Sequence, residues 1–100
     1  MNQSRNNEQA MLKQHAPMVG MMVQQFARRE PSLLSHEALH SVGLMALLDA
    51  VRQYPASSKV SFENFARVQI HRTLYSEINR TKQWFDASPA HLAPTQSFFA

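Results

Sequence analysis

The strongest constraint on the fold is a set of apolar residues that recur every four positions in the second half of the chain. The repeat consists of Phe62, Ala66, Ile70, Leu74 and Ile78. At about 100° per residue, this spacing places all five on one side of an α-helix. The chain has only two glycines and no Asn-Gly or Asp-Gly hairpin signal between alternating apolar runs. The pattern therefore predicts an all-α fold.

Two further helices are predicted before this one. Apolar residues run at a spacing of three to four between Met11 and Ala27, which is typical of a helix. Pro17 lies inside that run, and because proline lacks an amide donor we expect a kink or a break there. Ser35 is a plausible N-cap for a second helix, which extends to about Tyr54. The sequence thus predicts a compact bundle of three main helices.

Length and composition limit the organisation of the chain. One hundred residues allow one small domain, and we predict it over residues 10–85, between a flexible N-terminus (1–9) and a flexible Pro-containing tail (86–100). There is no cysteine, so stability must come from an apolar core. No apolar stretch approaches the roughly 18 residues of a membrane span, and the polar start lacks a signal-peptide core. A cytoplasmic protein is expected.

The charge distribution favours a polyanionic partner. The chain carries a formal charge of +3, and the whole surplus lies in residues 59–84, which favours nucleic acid. In the third predicted helix, basic, amide and aromatic side chains share the side opposite the apolar repeat. Cations neutralise phosphates, and rings stack on unpaired bases at about 1–3 kcal/mol each. A merely solvated face, with Tyr75 and Trp84 packed on neighbouring elements, explains the same residues equally well.

One short segment matches a zinc-hydrolase motif. His36-Glu37-Ala-Leu-His40 fits H-E-x-x-H, in which two histidines on one helix face bind zinc and the glutamate is the general base. The third ligand would have to be Glu63, because Ala46 occupies the next expected histidine position. We prefer to interpret His36 and His40 as solvent-facing residues of an amphipathic helix. A zinc hydrolase is kept as the third, least favoured hypothesis.

Other catalytic chemistry has less support in the sequence. There is no cysteine nucleophile, no G-x-S-x-G segment and no glycine-rich phosphate loop. We therefore predict a protein that is not an enzyme and uses no cofactor or metal.

The order and spacing of the helices carry a family resemblance. Residues 37–54, EALHSVGLMALLDAVRQY, resemble the D-D-L-x-Q-x-G-x-x-G-L-x-x-A-V-x-x-Y/F-D signature of region two in sigma-70 family sigma factors. Residues 62–71, FENFARVQIH, are similar to F-x-x-Y-A-x-x-x-I-R of the same region, and residues 15–19, HAPMV, are similar to H-x-P-L-V. The resemblance covers roughly residues 11–84 and is closest to the flagellar type.

The resemblance implies a fold, two partners and two sets of residues. In the family, the second helix of a compact bundle docks on the β′ clamp helices of RNA polymerase core, and the third captures the non-template strand of the promoter −10 element. The residues implied to face polymerase or another partner are Ala38, Ser41, Val42, Leu44 and Leu48. The candidate DNA-binding residues, from the basic face and the resemblance together, are Arg67, Val68, Gln69, His71, Arg72, Tyr75, Asn79, Arg80, Lys82 and Trp84.

The departures from the family pattern support an alternative. Ala38, Ser41 and Val42 stand where the family has Asp, Gln and often Glu. Each charge-assisted hydrogen bond that is lost removes about 1.5–3 kcal/mol, so family-type docking is weakened unless apolar contacts replace it. The alternative function is a sigma-derived adaptor that binds an anti-sigma factor or another regulator without melting DNA.

The predicted domain includes no module for the −35 element, since the sequence continues only about fifteen residues beyond Trp84. We therefore expect a stand-alone region two that works beside a second protein carrying that module.

Overall fold

Three helices make up the part of the chain that the structure describes. The computed structural model describes residues 2–29 and 34–87, and these contain α1 (Asn2–Arg29), α2 (His36–Gln53) and α3 (Phe62–Ala87). There is no strand in these two ranges, and the predicted all-α bundle is confirmed. None of the three helices combines the length and the hydropathy that crossing a bilayer requires, over the residues described.

The core lies where α2 packs between α1 and α3. Its buried side chains are Val19, Val23 and Phe26 from α1, Leu39, Ala46, Leu47 and Ala50 from α2, and Ala66, Ile70, Leu74 and Ile78 from α3. The four-residue repeat of α3 is therefore the stripe that faces the core, with Phe62 partly buried at its start. Burying a Val, Leu, Ile or Phe side chain contributes about 1.5–3 kcal/mol, so this stripe is a main source of stability.

Side-chain caps and one loop contact set the limits of the helices. The Ser35 hydroxyl accepts from the Ala38 amide at 3.0 Å, and Ser61 Oγ accepts from the Asn64 amide at 3.2 Å, as expected of N-caps. Tyr54 is extended (φ −64°, ψ 119°), because the proline that follows disfavours helical geometry. Its hydroxyl donates to the Val60 carbonyl and closes the loop between α2 and α3.

Helix α1 is longer and more continuous than the sequence predicts. Pro17 lies inside an unbroken helix, so the predicted break is wrong. The lost hydrogen bond is outweighed because side chains on both sides of Pro17, Leu12 and Val19, pack on the core.

The helix also begins at Asn2, within the segment 1–9 that we predict to be flexible. Glu8 accepts a hydrogen bond from Arg52 Nε at 3.1 Å, which ties this first part of α1 to the end of α2. That hydrogen bond, together with the attraction of the Glu8 carboxylate, raises the pKa of Arg52.

At the other end, α3 runs through Ala87, so the first two residues of the predicted tail are helical. Residues 88–100, with the remainder of that tail, lie outside the described residues.

Candidate nucleic-acid interface

A shallow groove follows the outer side of α3. It has a volume of about 430 Å³ and is lined by Arg67, Val68, His71, Arg72, Tyr75 and Ser76. Helical spacing explains the grouping, since residues three and four apart are neighbours on a helix surface. Five of the ten residues predicted to bind DNA therefore line one depression.

Two rings form the centre of this groove. The His71 and Tyr75 rings are stacked, with centroids 6.4 Å apart and planes 7° apart. On α1, the Phe26 ring contacts His71 at a centroid distance of 5.2 Å. Phe26 is only 3% exposed, whereas Tyr75 is 49% exposed. The core thus supports His71 from behind, and Tyr75 presents aromatic surface to solvent.

The arginines of α3 differ in whether their guanidinium groups are already paired with a carboxylate. Arg67 Nη2 is 3.0 Å from Glu63 Oε2 and also donates to Sδ of Met18 at 3.8 Å. Arg80 pairs with Glu77, which raises its pKa. Arg72 is exposed and forms no ion pair with any carboxylate in the described part of the chain. Its guanidinium is therefore free to bind an anion.

The remaining predicted residues fall on two sides of α3. Asn79 and Lys82 lie four and seven residues beyond Tyr75 and continue its side of the helix. Gln69 faces α2, where its Nε2 donates to Gln53 Oε1 at 3.4 Å. Trp84 lies nine residues after Tyr75, about 180° around the helix, and is 68% exposed. The structure does not bring Gln69, Arg80 or Trp84 to the groove, and the binding role of every member stays a prediction.

The outward side of α2 forms a second surface, on which small and apolar side chains lie between the exposed carboxylates of Glu37 and Asp49. Ser41 is exposed, Ala38 and Leu48 are half-buried, and Val42 and Leu44 pack in part against the core. Met45 lies between Ser41 and Leu48 on this side and is 69% exposed. Its position, four residues after Ser41 and three before Leu48, is the signal that identifies it as a surface residue.

A larger groove lies between α1 and α3, and the sequence did not predict it. Its volume is about 730 Å³, and its lining residues are Gln14, His15, Met18, Met21, Met22, Gln25, Glu63, Arg67 and His71. Met18 and Met22 pack against the core from the wall of this groove. Periodicity places such residues on an apolar stripe of their own helix, but it does not show which of the other helices that stripe packs against. The groove therefore emerges only from the packing of the helices.

The H-E-x-x-H segment lies at the start of α2. His36 and Glu37 are exposed and His40 is half-buried. Among the residues that the structure describes, no group of three His, Cys, Asp or Glu side chains could hold a metal ion. The third ligand that zinc hydrolysis needs is not brought to this pair.

The three-helix bundle thus carries a ring-bearing basic side on α3 and a second exposed surface on the outward side of α2. The chain is 27% identical over 78 residues to RNA polymerase sigma factor FliA of Pseudomonas aeruginosa, an alignment that covers 78% of this chain and 32% of that protein. The chain thus spans about a third of the length of this relative. This similarity confirms the sigma-factor resemblance predicted from the sequence. No protein-family model matches the chain, and no solved structure matches it.

Proposed function

We propose that this protein is a sigma-like transcription regulator, a stand-alone region-two module that acts beside a second subunit. In this proposal, α2 contacts RNA polymerase core through its outward side, and α3 binds the non-template strand of the −10 element. It performs no catalysis of its own. The similarity to a protein named as an RNA polymerase sigma factor supports both contacts.

The observation that carries the DNA half is the stacked pair of His71 and Tyr75 beside the unpaired Arg72. Half of the Tyr75 side chain is open to solvent, and a base can stack on it only when it is unpaired. Arg72 supplies a positive charge next to the ring, where the phosphate of the same nucleotide would lie. This combination selects single-stranded over duplex nucleic acid.

Binding to labelled single-stranded −10 oligonucleotides, measured by fluorescence anisotropy, tests this half. We expect binding that weakens steeply with salt, and a Tyr75→Ala variant that binds about 5- to 150-fold more weakly, as the loss of one base stack predicts. Tyr54→Ala is not a suitable control because that ring supports the loop, so Met45→Ala on α2 serves instead. Salt-independent binding, or equal binding by all three proteins, would contradict the proposal.

In the polymerase half of the proposal, the contact is made by the outward side of α2. Ala38, Ser41 and Val42 offer no charge to a partner, whereas the exposed Met45 adds apolar contact area. Such a surface fits a docking site in which burial of apolar groups replaces the polar contacts of the family.

Gel filtration with purified RNA polymerase core measures this contact directly. Met45→Asp should abolish co-elution because it would bury a charge in the interface, while Lys59→Gln, in the loop beyond α2, should not. Wild-type protein that never co-elutes with core would remove the polymerase half.

A second function, the protein-interaction adaptor, is favoured by the same exposed Met45. A largely apolar surface suits a regulator or an anti-sigma factor as well as polymerase. The adaptor is the better explanation if a purified regulator binds in a Met45-dependent manner while both the core and the oligonucleotide experiments give no binding.

A further inference from the structure

The arginines whose side chains the structure describes fall into two groups by ion pairing. Arg52, Arg67 and Arg80 each have a carboxylate partner. Arg28, Arg29 and Arg72 are exposed and have none among the residues described. The first two form the last turn of α1, and the third lies beside the ring pair of α3.

Packing brings these two places together. The Phe26 ring of α1 contacts the His71 ring of α3 at 5.2 Å. Arg28 and Arg29 follow Phe26 by two and three residues, or about 3–4.5 Å along the helix axis. Arg72 directly follows His71. The end of α1 therefore lies next to the part of α3 that carries the groove.

Three neighbouring depressions that share lining residues lie between them. Gln25 lines the large groove together with Arg67 and His71. It also lines a smaller depression of about 340 Å³, whose other walls are Arg28 and Arg29. On the far side, Arg67 and His71 are shared with the groove that holds Tyr75. A path of adjoining concave surfaces thus runs from Tyr75 across His71 and Gln25 to the end of α1.

We infer that this path is one binding surface, along which the sugar-phosphate backbone of a single strand crosses from α3 onto the last turn of α1. Arg28 and Arg29 bind phosphates, and the base stacks on Tyr75. This inference rests on the proposed binding of single-stranded DNA and adds a second helix to that site. Among the described residues that line the path, the one acidic group is Glu63, which is already paired with Arg67, so it leaves the positive potential of Arg28, Arg29 and Arg72 largely intact.

A purely structural role would also place arginines at this position. Cations near a helix C-terminus are stabilised by the helix dipole. That role affects the stability of α1 but does not change how binding depends on salt. The dependence of affinity on salt concentration therefore separates the two explanations.

The experiment compares charge-matched double variants by anisotropy over a range of salt concentrations. For single strands, each phosphate contact contributes about 0.7 to the slope of log K against log salt. Arg28→Gln with Arg29→Gln should make the slope shallower by about 1.4, and lysine at both positions should restore it. Lys13→Gln with Lys59→Gln removes the same charge from exposed positions outside the path and should leave the slope unchanged.

The outcomes separate this inference from the proposed function. If Tyr75→Ala weakens binding but the Arg28/Arg29 variant keeps the wild-type slope, the strand does not cross onto α1 and the inference is wrong. If the Lys13/Lys59 control changes the slope as much, the effect is one of net charge and the inference is equally wrong. If wild-type protein shows no salt-dependent binding, the DNA half of the proposed function itself fails. Circular dichroism melting confirms that each variant is folded.

Discussion

Gly43 of α2 lies directly against Val19 of α1: a Cβ placed on Gly43 would be 2.7 Å from Val19 Cγ1. Both residues are buried. The same Cβ would lie 3.6 Å from Val23 Cγ2 and 3.9 Å from Ile70 Cγ2. Helices α1 and α2 can approach this closely only because residue 43 has no side chain.

Gly43→Ala should destabilise the bundle. The added methyl group would collide with the Val19 side chain, whose χ1 angle is restricted by its branched Cβ. The helices would have to move apart, and overpacking of this kind costs about 1–3 kcal/mol. Gly20→Ala is the matched control, since its Cβ would meet nothing within 4 Å, and the gain in helix propensity should stabilise α1 by about 0.5–1 kcal/mol. Urea unfolding measures both. Two changes of the same sign would contradict the packing described.

Leu47→Ala and Leu48→Ala should differ sharply although the residues are neighbours. Leu47 is completely buried, so its truncation should cost about 2–5 kcal/mol. Leu48 is half-buried and lies outside the core cluster, so its truncation should cost about 1 kcal/mol or less. Thermal melts give the comparison, and equal losses would mean that the outward side of α2 is wrongly placed.

Tyr54→Phe should lower stability by about 0.5–1.5 kcal/mol, the net contribution of one hydrogen bond. The change removes the donor to the Val60 carbonyl but keeps the ring contacts with Phe62 and Phe65. Tyr75→Phe provides the control, because its hydroxyl makes no hydrogen bond with the described residues. Chemical denaturation that finds both variants equal to wild type would show that the loop contact contributes nothing.

Trp84→Phe should leave oligonucleotide affinity unchanged. Trp84 is the single tryptophan of the chain, it is exposed, and it lies about 180° around α3 from Tyr75. Its fluorescence should therefore be that of a solvent-exposed indole and should stay constant when a strand fills the groove. Quenching on titration with the oligonucleotide, with weaker binding by Trp84→Phe, would move the site to the opposite side of α3.

The helices were predictable because local patterns dictate them. The spacing from Phe62 to Ile78 and the cap at Ser35 each act within a few residues, and both are confirmed. Pro17 was misread because its local cost is offset by packing on another helix. Periodicity alone does not contain that information.

The candidate site was predictable only in part, because periodicity does not contain the packing between helices. Helical position correctly groups His71, Arg72 and Tyr75. It cannot show that Phe26 supports His71, or that Gln25 lines a groove together with Arg67 and His71, since both relationships depend on how α1 packs against α3. Composition alone also does not reveal the exposure of Met45, because methionine is common among the core residues of amphipathic helices.

The outward residues of α2 contribute little to the core that holds the bundle together. Ala38, Ser41 and Met45 can therefore change in evolution while α2 keeps its place between α1 and α3. Selection for a new binding partner can act on these positions almost independently of selection for folding. A domain built in this way can diverge rapidly in what it recognises and still be the same bundle.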